Sequence, residues 1–306
     1  QSIMQIDFNK ETRFVIVCGP CSIHNKEEAI SYARMLLGLQ REVEDKIFLV
    51  MRVYLEKPRS TVGWKGFIMD SDFSGDYDIR KGTSESLDLL KQIRALGVPI
   101  ATEFLSPFLS PIIAPYISIG TIGARTVASQ IHRELASSLA MPVGFKNDTH
   151  GDIKPAVEAM ITAREAHTYL GTDDGILVDV IKTEGNPNTF LILRGGSSGS
   201  NADDKTVSEA EIMLEKNNLP KHIVIDCSHG NSGKDHTKQK LVVEEVIKLK
   251  NAGHESIKGL MLESNINEGK QEIGLGDLAH GVSVTDACIS FEETKELVHK
   301  IAKALN

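Results

Sequence analysis

Residues 14–53 read FVIVCGPCSIHNKEEAISYARMLLGLQREVEDKIFLVMRV. Two short runs rich in Val and Ile, Phe14–Cys18 and Ile47–Val53, enclose a stretch in which Ile30, Ala33, Leu36 and Leu37 recur on one helical face. Strands that are apolar throughout suit a sheet covered on both faces, and a helix joining two of them makes the βαβ unit of a parallel sheet. The alternation continues along the chain. It predicts strands over Pro99–Phe104, Ile117–Ile122, Pro142–Lys146, Thr189–Arg194, His222–Asp226 and Gly259–Leu262. Helices are expected over residues 26–40, 84–96, 128–139, 152–166, 207–217, 235–251 and 291–305, the last opening on Ser290 with Glu293 at capping-box spacing. Eight such strands predict an α/β fold, a closed (β/α)8 barrel formed as one domain over residues 1–306. Pro107, Pro111 and Pro115 weigh against a regular third crossover helix. Residues 57–83 and 167–188 exceed what a connection needs. In the second, His167–Gly171 and Ile176–Ile181 flank Asp173-Asp174-Gly175 and predict an inserted β-hairpin before the sixth barrel strand.

The bulk composition narrows the function. A chain of 306 residues, 41% hydrophobic, can bury one large core. A formal charge of −8 gives a field that repels nucleic acid and anionic membrane, so neither is an expected partner. No apolar run is long enough to span a bilayer, and residues 1–15 lack the pattern of a signal peptide, so a cytoplasmic protein is expected. The start at Gln1-Ser2-Ile3 suggests that an N-terminal extension precedes it. Four cysteines, Cys18, Cys21, Cys227 and Cys288, are too few for a disulfide scaffold. Cys18-Gly19-Pro20-Cys21 spells a C-x-x-C redox motif, but that motif needs a helix starting at once, and here the helical pattern begins only at Lys26.

In barrel enzymes the active site lies at the C-terminal ends of the strands. There the predicted strands deliver Cys21, Arg52, Glu56, Lys57, Arg59, Glu103, Arg125, Lys146, Arg194, His229 and Glu263 to one rim. Singly, each cation would pair with a nearby acid. Arg52, Lys57, Arg59, Arg125, Lys146 and Arg194 converging on one mouth would repel one another unless anions neutralised them, which favours phosphorylated small-molecule substrates. Cys21, His229, Glu263 and Asp286 form a second set. A thiolate, an imidazole and two carboxylates suit one divalent ion such as Mn, Fe, Co or Zn, although a buried Cys alone is more often packing and Asp286 alone more often a turn former.

Gly19-Pro20-Cys21-Ser22, the run Met51–Gly66 with its Lys57-Pro58-Arg59-Ser60 and Gly63-Trp64-Lys65-Gly66, Gly123-Ala124-Arg125-Thr126, Gly144-Phe145-Lys146-Asn147, Arg194-Gly195-Gly196, Asp226-Cys227-Ser228-His229 and Glu263–Gly269 together resemble the type I 3-deoxy-D-arabino-heptulosonate-7-phosphate (DAHP) synthases of the enteric and fungal kind. The resemblance implies condensation of phosphoenolpyruvate with D-erythrose 4-phosphate. It implies Cys21, His229, Glu263 and Asp286 as metal ligands. It assigns phosphoenolpyruvate to Arg52, Arg125, Lys146 and Arg194, with the Gly123-Ala124 backbone and with Glu103 acting through water. It assigns erythrose 4-phosphate to Lys57, Pro58, Arg59, Ser60 and Asp286. Catalytic roles fall to Lys57, Asp286, Cys21 and His229, with Lys57 the candidate proton donor, Asp286 and His132 secondary candidates, and His132 read first as a helix-face residue bonded locally. It further implies a homodimer or homotetramer, with Val127-Ala128, a departure from the usual residues, bearing on subunit contacts or loop order, and an aromatic amino acid effector whose identity Ala140, a second departure, leaves open. A Schiff-base aldolase using Lys146, a 3-deoxy-octulosonate-8-phosphate synthase and an inactive barrel serving as a binding subunit are the rival readings.

Overall fold

The computed structural model describes residues 6–173 and 177–306. Gln1-Ser2-Ile3 and the Asp174-Gly175 turn of the expected hairpin lie outside them. The strands are β1 (Phe14–Gly19), β2 (Ile47–Arg52), β3 (Ile100–Glu103), β4 (Ile119–Ile122), β5 (Val143–Lys146), β6 (Thr168–Asp173), β7 (Leu177–Lys182), β8 (Thr189–Leu193), β9 (Ile223–Asp226), β10 (Ile257–Asn265) and the short β11 (Ile289–Ser290). The helices are α1 (Lys26–Val43), α2 (Ile79–Ala95), α3 (Ser110–Ile113), α4 (Gln130–Ser137), α5 (Lys154–Arg164), α6 (Asp204–Lys216), α7 (Gln239–Asn251) and α8 (Phe291–Ala304). Parallel pairing runs in the order β1-β2-β3-β4-β5-β8-β9-β10, and β10 returns to β1 with Val15 opposite Gly259 and Gly19 opposite Glu263. The sheet therefore closes on itself as the expected (β/α)8 barrel.

Alternation along each strand divides the core in two. Val15 and Val17 point into the barrel with Val50, Ile119, Ile192 and Val224, whereas Ile16 and Cys18 face the helical layer with Leu36 and Leu49. Each fully buried Val or Ile contributes about 1.5–3 kcal/mol, so this two-layer core dominates stability. Ile6 and Phe8 close the N-terminal end of the barrel, with the Phe8 ring 4.9 Å from that of Phe190. At the opposite end, where Arg52 and Lys146 finish their strands, the barrel opens into a cavity.

The expected hairpin forms, β6 pairing antiparallel with β7 so that Leu170 faces Val180. Cap chemistry moves several helix ends from their expected places. α2 begins at Ile79 rather than 84 because Asp78 accepts from the Lys81 N–H, and Gly82 lets the first turn press against the loop below, where a Cβ would lie 2.2 Å from the Ile68 carbonyl oxygen. Ser290 caps α8 by accepting from the Glu293 N–H, as its spacing predicts. The proline-rich third crossover holds only the four residues of α3 and a 3-10 turn at Ala114–Tyr116. None of the helices in the described residues is long and apolar enough to cross a membrane.

Candidate functional site

A cavity of about 310 Å³ opens at the C-terminal mouth of the barrel, and Arg52, Lys57, Arg59, Arg125, Lys146 and Arg194 all line it. So do Pro58, Ser60, Glu103, Gly123, Ala124, His229 and Asp286. The local reasons differ from strand to strand. Arg52 ends β2 and is 1% exposed, Lys146 ends β5 and is 4% exposed, and Arg194 follows β8. Lys57, Arg59 and Ser60 lie in the long segment between β2 and α2, and the Arg125 Nε donates to Ser60 Oγ at 2.9 Å. That bond joins the two groups of residues that the sequence assigns to different substrates.

Several of these cations stay available for anions. Lys146 Nζ stands 3.4 Å from Asp226 Oδ2, and Arg52 Nη2 stands 3.8 Å from Glu263 Oε2. Among the described residues no carboxylate lies within ion-pair distance of Arg59, Arg125 or Arg194. Arg52 Nη1 is buried with no hydrogen-bond partner. A buried guanidinium N–H left unpaired costs free energy that an anionic ligand recovers. Gly123 lets the Glu103 carboxylate pack against the backbone, since a Cβ there would lie 2.4 Å from Glu103 Oε1 and push that side chain aside.

Deeper in the mouth, ligand atoms of Cys21, Glu263 and Asp286 lie within 4.8 Å of one another. His229 stands beside this group, its Nε2 3.4 Å from Glu263 Oε1. Its Nδ1 is 2.9 Å from Asp226 Oδ2, which fixes the ring with Nε2 turned toward Glu263. Nε2 and the Glu263 carboxylate thus face the same point, where a proton on the imidazole or a shared cation satisfies both. Glu263 Oε2 is buried and accepts no hydrogen bond. A mixed sulfur, nitrogen and oxygen donor set with an orphaned carboxylate oxygen fits a divalent transition ion.

Asp286, the exposed member of the set, is carried by a segment with no long strand of its own. Bonds to residues 267–271 hold that segment, among them Gly269 N–H to the Cys288 carbonyl and Gln271 N–H to the Ser283 carbonyl, and two further contacts tie it to the β1 end and α1. Ser22 Oγ and Thr285 Oγ1 are 2.7 Å apart, and the Gly281 N–H donates to Glu28 on α1.

Electrostatics follows from this crowding. Burial, with Glu263 and Asp286 adding to it against Lys57 and Arg52, pushes the Cys21 thiol up to about 11. Lys57 Nζ donates to Cys21 Sγ at 3.2 Å and to the Cys21 carbonyl at 3.1 Å. Burial opposes its charge, but Cys21 and Glu263 outweigh that and hold its pKa above the ordinary value, so Lys57 is an ammonium able to donate. For Glu263 burial acts upward, yet His229, Arg52 and Lys57 bring the pKa down to about 2. Asp226 is likewise held well below the usual range against burial, chiefly by His229 and Lys146.

Glu56 behaves in the opposite way. Burial is the largest influence, and with Glu103 nearby it raises the carboxyl to about 7, although Glu56 accepts from the Ser106 N–H at 3.1 Å. The ordinary value is 4.5, so the folded state holds a proton that the unfolded chain has lost, and stability falls as pH rises from about 4.5 through 7. Glu56→Gln removes that penalty while keeping an acceptor for Ser106. It is expected to be more stable than the parent at pH 8 by about 3 kcal/mol at most and indistinguishable at pH 4. Urea unfolding at the two pH values checks this; an equal change at both would refute it.

The remaining sequence expectations also find places. His132 bonds Ser129 Oγ at 2.8 Å and the Leu105 carbonyl at 2.7 Å and does not line the cavity. Cys18 is buried facing the helical layer and α1 begins only at Lys26, so Cys18 and Cys21 do not present a redox pair at a helix start. Lys234 lines the cavity and was missed by sequence reasoning. It follows a short 3-10 turn in left-handed backbone, φ 61°, and nothing in its sequence neighbourhood separates it from an ordinary loop lysine.

Residues 3–299 match the DAHP synthetase I family. The Tyr-sensitive phospho-2-dehydro-3-deoxyheptonate aldolase of Escherichia coli K12 is 45% identical over 308 residues, covering 100% of this chain and 86% of the relative. The phenylalanine-inhibited enzyme of the same name from Saccharomyces cerevisiae is 42% identical, covering 99% and 84%. Among solved structures, the phospho-2-dehydro-3-deoxyheptonate aldolase of Francisella tularensis SCHU S4 superposes with a TM-score of 0.95 at 43% identity, covering 97% of this chain and 87% of that one.

Proposed function

The chain belongs to the DAHP synthetase I family and carries its activity, the opening step of aromatic amino acid biosynthesis, and we propose that its own residues divide that work between two anion clamps flanking a metal centre. The observation that supports this reading is that the cavity lined by all six expected cations is also lined by Asp286, which belongs to the cluster with Cys21 and Glu263. Phosphoenolpyruvate, D-erythrose 4-phosphate and water give DAHP and phosphate. Arg52, Lys146 and Arg194, with Arg125, hold phosphoenolpyruvate beside the Gly123-Ala124 backbone. Lys57, Pro58, Arg59 and Ser60 hold the aldose phosphate.

Cys21, His229, Glu263 and Asp286 would hold one divalent ion, of the Mn, Fe, Co or Zn class, which when bound supplies Lewis acidity toward the aldehyde oxygen. Carbon 3 of phosphoenolpyruvate bonds to the aldehyde carbon, and the Lys57 ammonium, already directed at the Cys21 sulfur, gives a proton to the oxygen that gains charge. Water held at Glu103 adds its oxygen to carbon 2 and sheds a proton that restores the Lys57 ammonium, while its second hydrogen leaves with the phosphate. Phosphate leaves as the carbon–oxygen double bond of the product forms, and the cations around it stabilise the departing charge. A Schiff base at Lys146 is disfavoured because its Nζ is engaged by the Asp226 carboxylate at 3.4 Å instead of being free to attack a carbonyl.

The named relatives respond to tyrosine or phenylalanine, and we extend to this chain an aromatic amino acid as effector without choosing between them. Self-association as a homodimer or homotetramer is part of the same reading, supported by Leu170, Val178 and Val180 exposed together on the hairpin. A cytoplasmic setting suits the substrates. The deciding assay is phosphate release with both substrates, before and after chelation. Release that needs both and returns on adding manganese is expected; an adduct trapped by borohydride, or turnover indifferent to chelator, would overturn the mechanism.

A further inference from the structure

Three buried asparagines lie just behind the cationic mouth without entering it. Asn147 is 0% exposed, Asn201 6% and Asn231 8%, and none of them lines the cavity. Asn147 Oδ1 accepts from the Arg194 backbone N–H at 2.8 Å and from Asn201 Nδ2 at 3.0 Å, while its Nδ2 donates to the Gly195 carbonyl at 2.9 Å. Asn201 Oδ1 accepts from the Gly195 N–H at 2.8 Å. Asn231 Oδ1 accepts from the Asn201 N–H at 2.9 Å, its Nδ2 donates to the carbonyls of Leu193 and Asp226, and its own N–H donates to the Arg194 carbonyl at 3.0 Å.

The three asparagines thus form a chain, Asn147 to Asn201 to Asn231, across the ends of β5, β8 and β9. Both backbone polar groups of Arg194 and both of Gly195 are held by it. Arg194 Nη1 also donates to the Gly195 carbonyl, so the guanidinium is tied to the same frame. One amide adjoins Lys146 in sequence, and another lies two residues beyond His229. Buried uncharged amides are costly unless fully paired, and once paired they fix geometry with a precision that apolar packing does not. An Arg fork recognises an anion only when its plane is held.

We propose that Asn147, Asn201 and Asn231 are positioning residues for the phosphoenolpyruvate half of the site, with Asn201 joining the β5 end to the turn after β8. This rests on the reading that Arg194 and Lys146 hold phosphoenolpyruvate. Asn201→Ala and the milder Asn201→Ser remove the link without touching ligand. The test measures the KM for each substrate and the manganese affinity of these variants, well below their unfolding temperatures. Val246→Ala, a buried change in α7, serves as the control for general destabilisation.

The expected result is a KM for phosphoenolpyruvate raised about tenfold in Asn201→Ala, with erythrose 4-phosphate KM and manganese affinity within about twofold of the parent. Asn201→Ser should fall between, and Val246→Ala should move neither KM. Arg194→Ala separates the two levels of the argument. If it leaves the phosphoenolpyruvate KM unchanged, the assignment of the site fails; if it raises that KM while both Asn201 variants change neither KM or both alike, the positioning role fails. Should Asn201→Ala not fold, Asn201→Ser decides by the same criterion.

Discussion

Cys21→Ser is expected to lose tight binding of a divalent transition ion and to lower kcat by at least about three orders of magnitude. The thiol is fully buried and lies within 4.8 Å of ligand atoms of Glu263 and Asp286. Serine preserves the shape of the side chain and changes its donor. A hydroxyl is a harder and far less acidic ligand than a thiol, so the substitution removes the soft member of the set. Loss of a residue that merely orients a ligand typically costs about 10–100-fold in metal affinity, and removal of a ligand should cost more. The parent carries a further signature, because burial and its acidic neighbours push the thiol up to about 11 without metal. Binding an ion as thiolate must then expel a proton near neutral pH, and affinity should rise with pH. Competition against a chelator between pH 6 and 8, with kcat measured on the same samples, tests both statements. Parent-like affinity in Cys21→Ser, or affinity in the parent that is flat with pH, would remove Cys21 from the ligand set.

The clarity of the sequence varies from one residue to another for physical reasons. β1 and β2 were readable because strands buried on both faces need unbroken Val and Ile, and β1 to β5 met their expected positions within a residue or two. The cations were readable because a strand end fixes where a side chain goes, which is why Arg52, Lys146 and Arg194 could be placed before any coordinates. Asp286 was harder. Bonds to residues 267–271 fold its segment back, and its place at the mouth is then set by Thr285 meeting Ser22 and Gly281 meeting Glu28, partners more than 250 positions away in the chain. Such contacts have no local signature, and the family resemblance supplied what spacing did not. Lys234 and Asn201 went unread for the same reason, since each takes its meaning from loops that follow other strands.

Arg52 separates substrate recognition from stability, and two substitutions there should divide accordingly. Its Nε donates to the Pro20 carbonyl at 3.2 Å, Nη2 approaches the Cys21 carbonyl at 3.4 Å and Glu263, and the guanidinium lies 3.9 Å from the centre of the Tyr54 ring. Nη1 alone has no partner. Arg52→Lys keeps a charge near Glu263 but has no fork, so the expected result is a KM for phosphoenolpyruvate raised about 100-fold with modest loss of stability. Arg52→Met leaves the Glu263 carboxylate, 2% exposed, to His229 and Lys57 alone, and should destabilise the metal-free protein at pH 7 by less than the roughly 3–5 kcal/mol of a buried charge stripped of every partner. The sign with pH is fixed. Glu263 is held near 2 against an ordinary 4.5, so its ionised form stabilises the fold above pH 4.5 and that contribution vanishes as pH falls toward 2. Without Arg52 the carboxyl titrates higher, and acid unfolding of Arg52→Met should begin at higher pH than in the parent. If Arg52→Lys binds phosphoenolpyruvate like the parent, the free Nη1 does not face substrate and the clamp must be assigned to Lys146 and Arg194 instead.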